Sequence, residues 1–183
     1  KTIIGNEEIM NVKFLNPFIE AAFEILNAEA GINATRGSLG LEQSEYITDD
    51  ITVILALVGA VEGTVYYGMS NETAIKLVSR MIGENVTTFD SLAQSGIAEL
   101  GNVITGRASV KLSANGYEAT ISPPTLLLGR GATISTLDFA RIVVPVLFDD
   151  VGVNIHLALR EGKVHGQTTA QIPVPAKPEV SKH

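Results

Sequence analysis

The alternation of apolar and polar residues along the chain predicts three helices. In residues 17–30 apolar side chains recur every three or four positions, with a proline in the first turn and Gly31 at the end. In residues 71–81 the same spacing follows Ser70, a preferred N-cap residue, and stops before a glycine. The third and longest helical pattern covers residues 90–115.

Runs of β-branched and apolar residues predict two hairpins and several shorter strands. Residues 51–58 and 64–68 flank a Glu-Gly turn, and residues 140–148 and 151–159 flank a pair of aspartates. Shorter strands are expected in three further segments, 33–43, 117–121 and 125–128. Together these elements predict an α+β domain in which an antiparallel sheet of about six strands carries three helices.

The composition changes near both ends of the chain. Residues 1–9 show no clear periodicity and are interpreted as leader or added residues. Residues 163–183 contain three prolines among Gly, Gln, Thr and Lys, and are expected to form a flexible tail. The domain is therefore predicted to cover residues 10–162, the size of one ordinary domain.

The helix predicted over residues 90–115 presents three polar side chains on one face. At about 100° per residue, Ser95, Glu99 and Asn102 fall within about 60° of one another. The opposite side collects the apolar residues Ala93, Ile97, Leu100, Ile104 and Ala108. The helix can therefore pack on a core and expose one carboxylate and one carboxamide. The alternative is that these polar residues are only the solvated face of an amphipathic helix.

The same helical segment contains three glycines at five-residue intervals, Gly96, Gly101 and Gly106. Glycine costs about 1 kcal/mol relative to alanine in a helix interior. We therefore expect something to approach the helix backbone closely, either a neighbouring strand or a partner protein.

Composition and charge exclude several classes of function. The net charge is −7, the pI is near 4.9 and no basic run is present, so a nucleic-acid ligand is disfavoured. The chain has no cysteine, which excludes disulfides, thiolate nucleophiles and cysteine zinc sites. No apolar run reaches 18 residues and no signal-peptide pattern opens the chain, so no membrane association and a cytoplasmic location are expected.

Other candidate chemistries have simpler explanations. His156 lies in an alternating segment and is interpreted as a half-buried strand residue. The pairs Asp49-Asp50 and Asp149-Asp150 are interpreted as solvated turn residues. No histidine pair has metal-ligand spacing, so no metal site is predicted, and the serines of the central helix have no histidine nearby in sequence to activate them.

The pattern Ser95-x-x-x-Glu99-x-x-Asn102, followed by Ile-Ser-Pro-Pro-Thr at residues 121–125, resembles the CheC/CheX/FliY family of chemotaxis phosphatases, specifically its CheX-like branch. The family pattern is Asp or Ser, then Glu and Asn at these spacings, then a proline. Pro124 is taken as that proline, with Pro123 as the alternative.

The resemblance implies a fold, a reaction and a role for each motif residue. Two long helices are expected side by side on one face of the sheet. The implied substrate is the phosphoaspartate of a CheY-type response regulator, which supplies its own Mg²⁺, so no cofactor of this chain is expected. Asn102 would position the attacking water, Glu99 would dock the lysine of the receiver, and Ser95 and Pro124 would shape the substrate-binding surface.

A faint internal repeat accompanies this motif. The first helix carries Glu24 and Asn27 followed by Gly31, the same spacing as Glu99, Asn102 and Gly106. The family resemblance implies that such a pseudo-symmetric repeat can hold a second active site. Here the position four residues upstream is a glutamate and no proline pair follows, so Glu24 and Asn27 are interpreted as a degenerate copy.

Two other functions remain open at this point. The chain could be a non-catalytic receiver-binding module or a relative of the flagellar switch proteins that keeps the fold without the chemistry, or, with less support, a structural dimer unconnected with phosphate. The resemblance also implies a homodimer formed through sheet edges, and residues 33–43 and 132–137 are the candidate edges.

Overall fold

A computed structural model describes residues 12–162, apart from the side chains of residues 44 and 137–139. The predicted leader, residues 1–9, and the predicted tail, residues 163–183, both lie entirely outside the described residues. A short 3₁₀ turn, Val12–Phe14, opens the described part of the chain.

The three predicted helices are present at nearly the predicted positions. They are α1 (Leu15–Ala30), α2 (Asn71–Ile82) and α3 (Ser91–Ala114). The side chains of Ser70 and Asp90 cap α2 and α3 by accepting hydrogen bonds from the first-turn N–H groups. Gly31 and Gly83 end α1 and α2 in the left-handed conformation that glycine adopts without strain.

The strands form one antiparallel sheet. They are β1 (Thr35–Arg36), β2 (Gly40–Ile47), β3 (Ile51–Gly59), β4 (Val61–Met69), β5 (Ala119–Ile121), β6 (Thr125–Leu128), β7 (Thr133–Phe148) and β8 (Val151–Glu161). The order is β1-β7-β8-β4-β3-β5, with β2 also paired to β7 and β6 also paired to β3. The predicted α+β class and antiparallel sheet are confirmed, and the described residues contain eight strands where about six were expected.

All three helices pack on the same face of the sheet. The inward-facing residues of β3, β4, β7 and β8 share one continuous apolar core with the helices. α1 and α3 run antiparallel, because Glu20 and Glu24 of α1 contact Lys111 and Arg107 of α3 in reverse order. The pair of long helices expected on one face is thus present, and α3 keeps one side free of the core.

The opposite face of the sheet is covered by the ribbon formed from β2 and the first half of β7. Tyr46 of β2 lies over Tyr66 and His156, with ring centroids 5.0 and 4.5 Å apart. Arg141 is fully buried in this layer, where its guanidinium donates to the Glu42 carboxylate at 2.7 Å. His156, expected to be half-buried, is only 5 % exposed because the ribbon shields it.

Candidate functional site

The exposed face of α3 brings the motif residues together. Glu99 is exposed, Asn102 is half-buried, and the Asn102 Nδ2 atom lies 3.4 Å from Glu99 Oε2. Ser95 lies one turn earlier on the same face, where its hydroxyl donates to the Ser91 carbonyl at 3.0 Å. Within residues 12–162 the Glu99 carboxylate has no cation partner, so its charge is available to a ligand.

The proline loop, residues 121–125, joins β5 to β6, and both of these strands pair with β3. β5 pairs with residues 57–59 of β3 and β6 pairs with residues 51–54, so the loop crosses from one part of the β3 edge to the other. Ser122 fixes this loop, because its N–H donates to the Ala56 carbonyl and its hydroxyl accepts from the Ala56 N–H, both at 2.9 Å. Pro123 is exposed and Pro124 is half-buried.

The loop adjoins the half of α3 that follows Asn102. Ser109 donates to the carbonyl of Ala119 at 3.3 Å, which fastens β5 to the helix. A Cβ atom at Gly106 would lie 3.9 Å from Ile121, at the start of the proline loop. The structure therefore brings Glu99 and Asn102 into direct contact and puts Ser95 and the loop of Pro124 on either side along the helix.

The three glycines of α3 have different neighbours. A Cβ atom at Gly101 would lie 2.9 Å from Val53 Cγ1 and 3.3 Å from the Tyr67 ring, so the sheet is the close neighbour there. At Gly96 and Gly106 the nearest atoms are 3.9 Å away, an ordinary contact. Of the two expected neighbours, the strand is therefore found at Gly101, and the described residues give no steric reason for the other two glycines.

Glu24 and Asn27, the degenerate copy of the motif on α1, already form polar contacts with other residues of the chain. Glu24 accepts hydrogen bonds from Lys111 at 2.7 Å and from Arg107 at 2.6 Å, and these two cations hold the pKa of its carboxyl below the usual value. Asn27 Nδ2 donates to Asn33 Oδ1 at 2.9 Å. Both polar groups that correspond to Glu99 and Asn102 thus already have partners.

This ion-pair cluster between α1 and α3 was not identified from the sequence. Its signal is present as complementary spacing, because Glu20 and Glu24 are four residues apart, as are Arg107 and Lys111. Residues four apart share a helix face, so two antiparallel helices with these pairs can form a four-charge contact.

The described residues contain no cluster of side chains that could bind a metal ion. No three His, Asp or Glu side chains converge as a metal-ligand set in residues 12–162. Over the same residues, no helix has the length and apolar character required to cross a bilayer.

Comparison with known families decides the relationship. The model of the family "Chemotaxis phosphatase CheX" matches residues 51–147, which include α3 and the proline loop together with β3 and most of β7. The chain belongs to the CheX family. The sequence resemblance is thus confirmed at the level of the family.

Individual relatives agree with this assignment over most of the chain. The CheY-P phosphatase CheX of Thermotoga maritima is 29 % identical over 154 residues, covering 84 % of this chain and 99 % of the relative. A CheC-like protein from Shewanella sp. PV-4 superposes with a TM-score of 0.75 at 25 % identity, covering 82 % of this chain and 99 % of that one. CheX from Borrelia burgdorferi, solved as a CheX-CheY-BeF₃-Mg²⁺ complex, superposes with a TM-score of 0.72 at 27 % identity, covering 82 % and 100 %.

Proposed function

We propose that this CheX-family chain hydrolyses the phosphoaspartate of a CheY-type response regulator. The observation that carries the proposal is the pair of neighbours on α3, the exposed Glu99 and the half-buried Asn102, which have no other partner within residues 12–162. The names of two relatives support the substrate, because one is a CheY-P phosphatase and another was solved bound to CheY.

The reaction requires little covalent chemistry from this chain. A water attacks the phosphorus in line, the P–O bond to the aspartate breaks, and the carboxylate and inorganic phosphate are released. Catalysis of phosphoryl transfer depends mainly on positioning and on charge stabilisation. The Mg²⁺ and the lysine that neutralise the phosphoryl charge belong to the receiver, as the presence of Mg²⁺ in the Borrelia complex supports.

In this proposal Asn102 is the catalytic residue. Its carboxamide both donates and accepts hydrogen bonds, so it can hold a water molecule without titrating near neutral pH. Glu99, one turn earlier, forms an ion pair with the receiver lysine and so sets the register of the two proteins. Ser95 and Pro124 flank this pair and contact the receiver surface.

One site per chain is proposed. Glu24 is held by Lys111 and Arg107, and breaking two ion pairs would be required before it could dock a receiver lysine. We also propose that residues 10–162 form the working domain, that the protein acts in the cytoplasm, and that it forms a homodimer through a sheet edge.

Decay of a phosphorylated CheY-type receiver in the presence of Mg²⁺ tests the reaction. Asn102→Ala should reduce the acceleration of decay by on the order of 10², since the attacking water is no longer oriented. Alanine also suits an α-helix, so the fold should be retained. The matched control is Asn27→Ala, which removes the same side chain from the repeat copy and should leave the rate unchanged.

Two results would contradict the proposal in different ways. An Asn102→Ala protein with the wild-type rate would remove Asn102 from the catalytic role. A wild-type protein that binds the phosphorylated receiver without shortening the lifetime of its phosphate would make the chain a binding module, the alternative left open by the sequence.

A further inference from the structure

Two buried hydrogen bonds connect the sheet to the middle of α3. The hydroxyl of Tyr67, on β4, lies 2.7 Å from Thr105 Oγ1, and the Thr105 hydroxyl in turn donates to the Gly101 carbonyl at 2.8 Å. A threonine hydroxyl has one proton, and here it goes to the carbonyl, so Tyr67 is the donor to Thr105. Tyr67 and Thr105 are 2 % and 0 % exposed.

This chain of hydrogen bonds ends directly behind the candidate site. Gly101 lies between Glu99 and Asn102 in sequence, on the opposite side of the helix. At Gly101 the helix backbone touches the sheet, since a Cβ atom there would lie 2.9 Å from Val53 Cγ1. The point that fixes α3 against the sheet and the pair that faces the receiver therefore lie within one helical turn.

Near Gly101, apolar packing alone does not fix the rotation of α3 or its position along the sheet. A cavity of about 20 Å³ lies beside Gly101, between α1, α3 and the sheet, and its lining is apolar, with Leu26, Leu100 and Ile104 among the residues that form it. Apolar contacts are non-directional and permit small rotations or slides of a helix. Hydrogen bonds weaken steeply when their angle changes, so they restrict both motions.

We propose that Tyr67 and Thr105 are positioning residues for the phosphatase reaction, which fix the rotation and height of α3 so that the Asn102 carboxamide is aligned with the phosphorus. The proposal rests on the function proposed above. Burial raises the pKa of the Tyr67 phenol, so the hydroxyl keeps its proton and remains a donor at physiological pH. Misplacement of a reacting group by about 1 Å can reduce a rate by about 10².

The experiment compares Tyr67→Phe, Thr105→Val and Thr105→Ser with Val65→Ala. Tyr67→Phe and Thr105→Val remove one hydroxyl each, whereas Thr105→Ser retains it. Val65→Ala removes a fully buried apolar side chain from the same strand and the same face as Tyr67, so it destabilises the fold without touching the hydrogen bonds. Receiver dephosphorylation is measured as kcat and KM, together with Tm and the NMR signals of the Asn102 side-chain amide.

We expect kcat to fall about tenfold in Tyr67→Phe and Thr105→Val with KM changed less than about twofold, because docking is retained and alignment is lost. Thr105→Ser and Val65→Ala should keep kcat within about twofold, although Val65→Ala lowers Tm. An unchanged kcat in the hydroxyl deletions, or an equal loss in Thr105→Ser, would overturn the proposal.

The NMR signals test the positioning role of Tyr67 and Thr105 independently of the proposed phosphatase function. If wild-type protein does not accelerate receiver decay, the phosphatase function fails, and the Asn102 amide still reports on alignment. A shift of that amide signal in the hydroxyl deletions, absent in Val65→Ala, would support the positioning role, and an unshifted signal would overturn it.

Discussion

At the scale of single residues, we expect replacement of Glu99 to weaken receiver binding and replacement of Asn102 to slow turnover. Glu99→Gln keeps the shape and a hydrogen-bonding group but removes the charge proposed to pair with the receiver lysine. We expect the Kd for a phosphorylated receiver to rise about tenfold at low salt, with a smaller difference at high salt because interfacial ion pairs are screened.

Titration of receiver binding at two ionic strengths measures this effect. Asn102→Ala is the matched control, since it should change turnover with little change in Kd. Equal binding by wild-type protein and Glu99→Gln at low salt would rule out the proposed ion pair.

His156 predicts a specific dependence of stability on pH. Burial, with a smaller contribution from Arg141, lowers the pKa of His156 to about 4, against 6.5 for an exposed histidine. Between these two values the unfolded chain binds more protons than the folded one, so the free energy of unfolding should decrease as the pH falls from 6.5 towards 4, by up to about 3 kcal/mol. Well above pH 6.5 both states are neutral at this residue, so its contribution no longer changes with pH.

Chemical denaturation at pH 6.5 and pH 5 tests this, with His156→Phe as the comparison. The variant keeps a ring beside Tyr46 but has no titrating group, so its loss of stability over this range should be smaller than that of the wild type. Parallel losses in the two proteins would show that His156 does not cause the effect.

Not every important residue could be predicted from its own sequence context. The three polar residues on α3 were visible because helical spacing alone puts them on one face. The buried state of Arg141 and His156 was not visible, because it depends on the ribbon of β2 and β7 folding over residues distant in sequence. Which of the two glutamates is engaged, Glu24 or Glu99, depends in the same way on the packing of α1 against α3.

At the scale of secondary structure, the glycines of α3 should respond oppositely to alanine. Gly101→Ala gains about 1 kcal/mol of helix propensity but inserts a methyl group against the branched Val53 side chain. Such overpacking costs about 1–3 kcal/mol, so net destabilisation is expected. At Gly106 the added Cβ atom would make only an ordinary contact, 3.9 Å from Ile121, so Gly106→Ala should raise the free energy of unfolding by up to about 1 kcal/mol.

Thermal or urea unfolding of the two variants measures these changes in the free energy of unfolding. A stabilising Gly101→Ala would mean that α3 can move away from the sheet, which would also weaken the argument that it is fixed there. A destabilising Gly106→Ala would reveal a close neighbour of that glycine within the folded chain.

Elements with strong local signals were predicted well. Capping residues and terminal glycines gave the bounds of α1 and α2 within about two residues, and the two main hairpins followed from their β-branched runs. β7 begins seven residues earlier than expected, at Thr133 instead of Ala140. Its first residues, Thr-Ile-Ser-Thr-Leu, lack a regular alternation of polar and apolar side chains, and they become a strand because β2 pairs with them.

At the scale of the whole molecule, the free edges of the sheet predict self-association. β2 pairs only with β7 among the described strands, and two leucines there are exposed, Leu39 just before β2 and Leu41 within it. Unprotected edges with apolar side chains favour pairing with another chain. We expect wild-type protein to sediment as a dimer and Leu41→Lys to shift it towards monomer, since a charge on an edge strand opposes pairing.

Sedimentation velocity over a range of micromolar concentrations tests this prediction. Val110→Lys, an equally exposed apolar position on α3, serves as the control and should not alter the oligomeric state. A wild-type protein that remains monomeric throughout would remove the sheet edge from the proposed assembly.

The ion pairs that engage Glu24 also predict a stoichiometry for receiver binding. A pseudo-symmetric chain with both Glu-Asn pairs available would accept two receivers. This chain offers one pair to solvent, whereas in the other pair Glu24 joins the two long helices and Asn27 bonds Asn33. Each chain is thus expected to bind a single receiver, and a dimer two. If phosphorylated receiver is in excess over CheX, the number of CheX chains, and not the number of motif copies, sets how much of it can be bound at once.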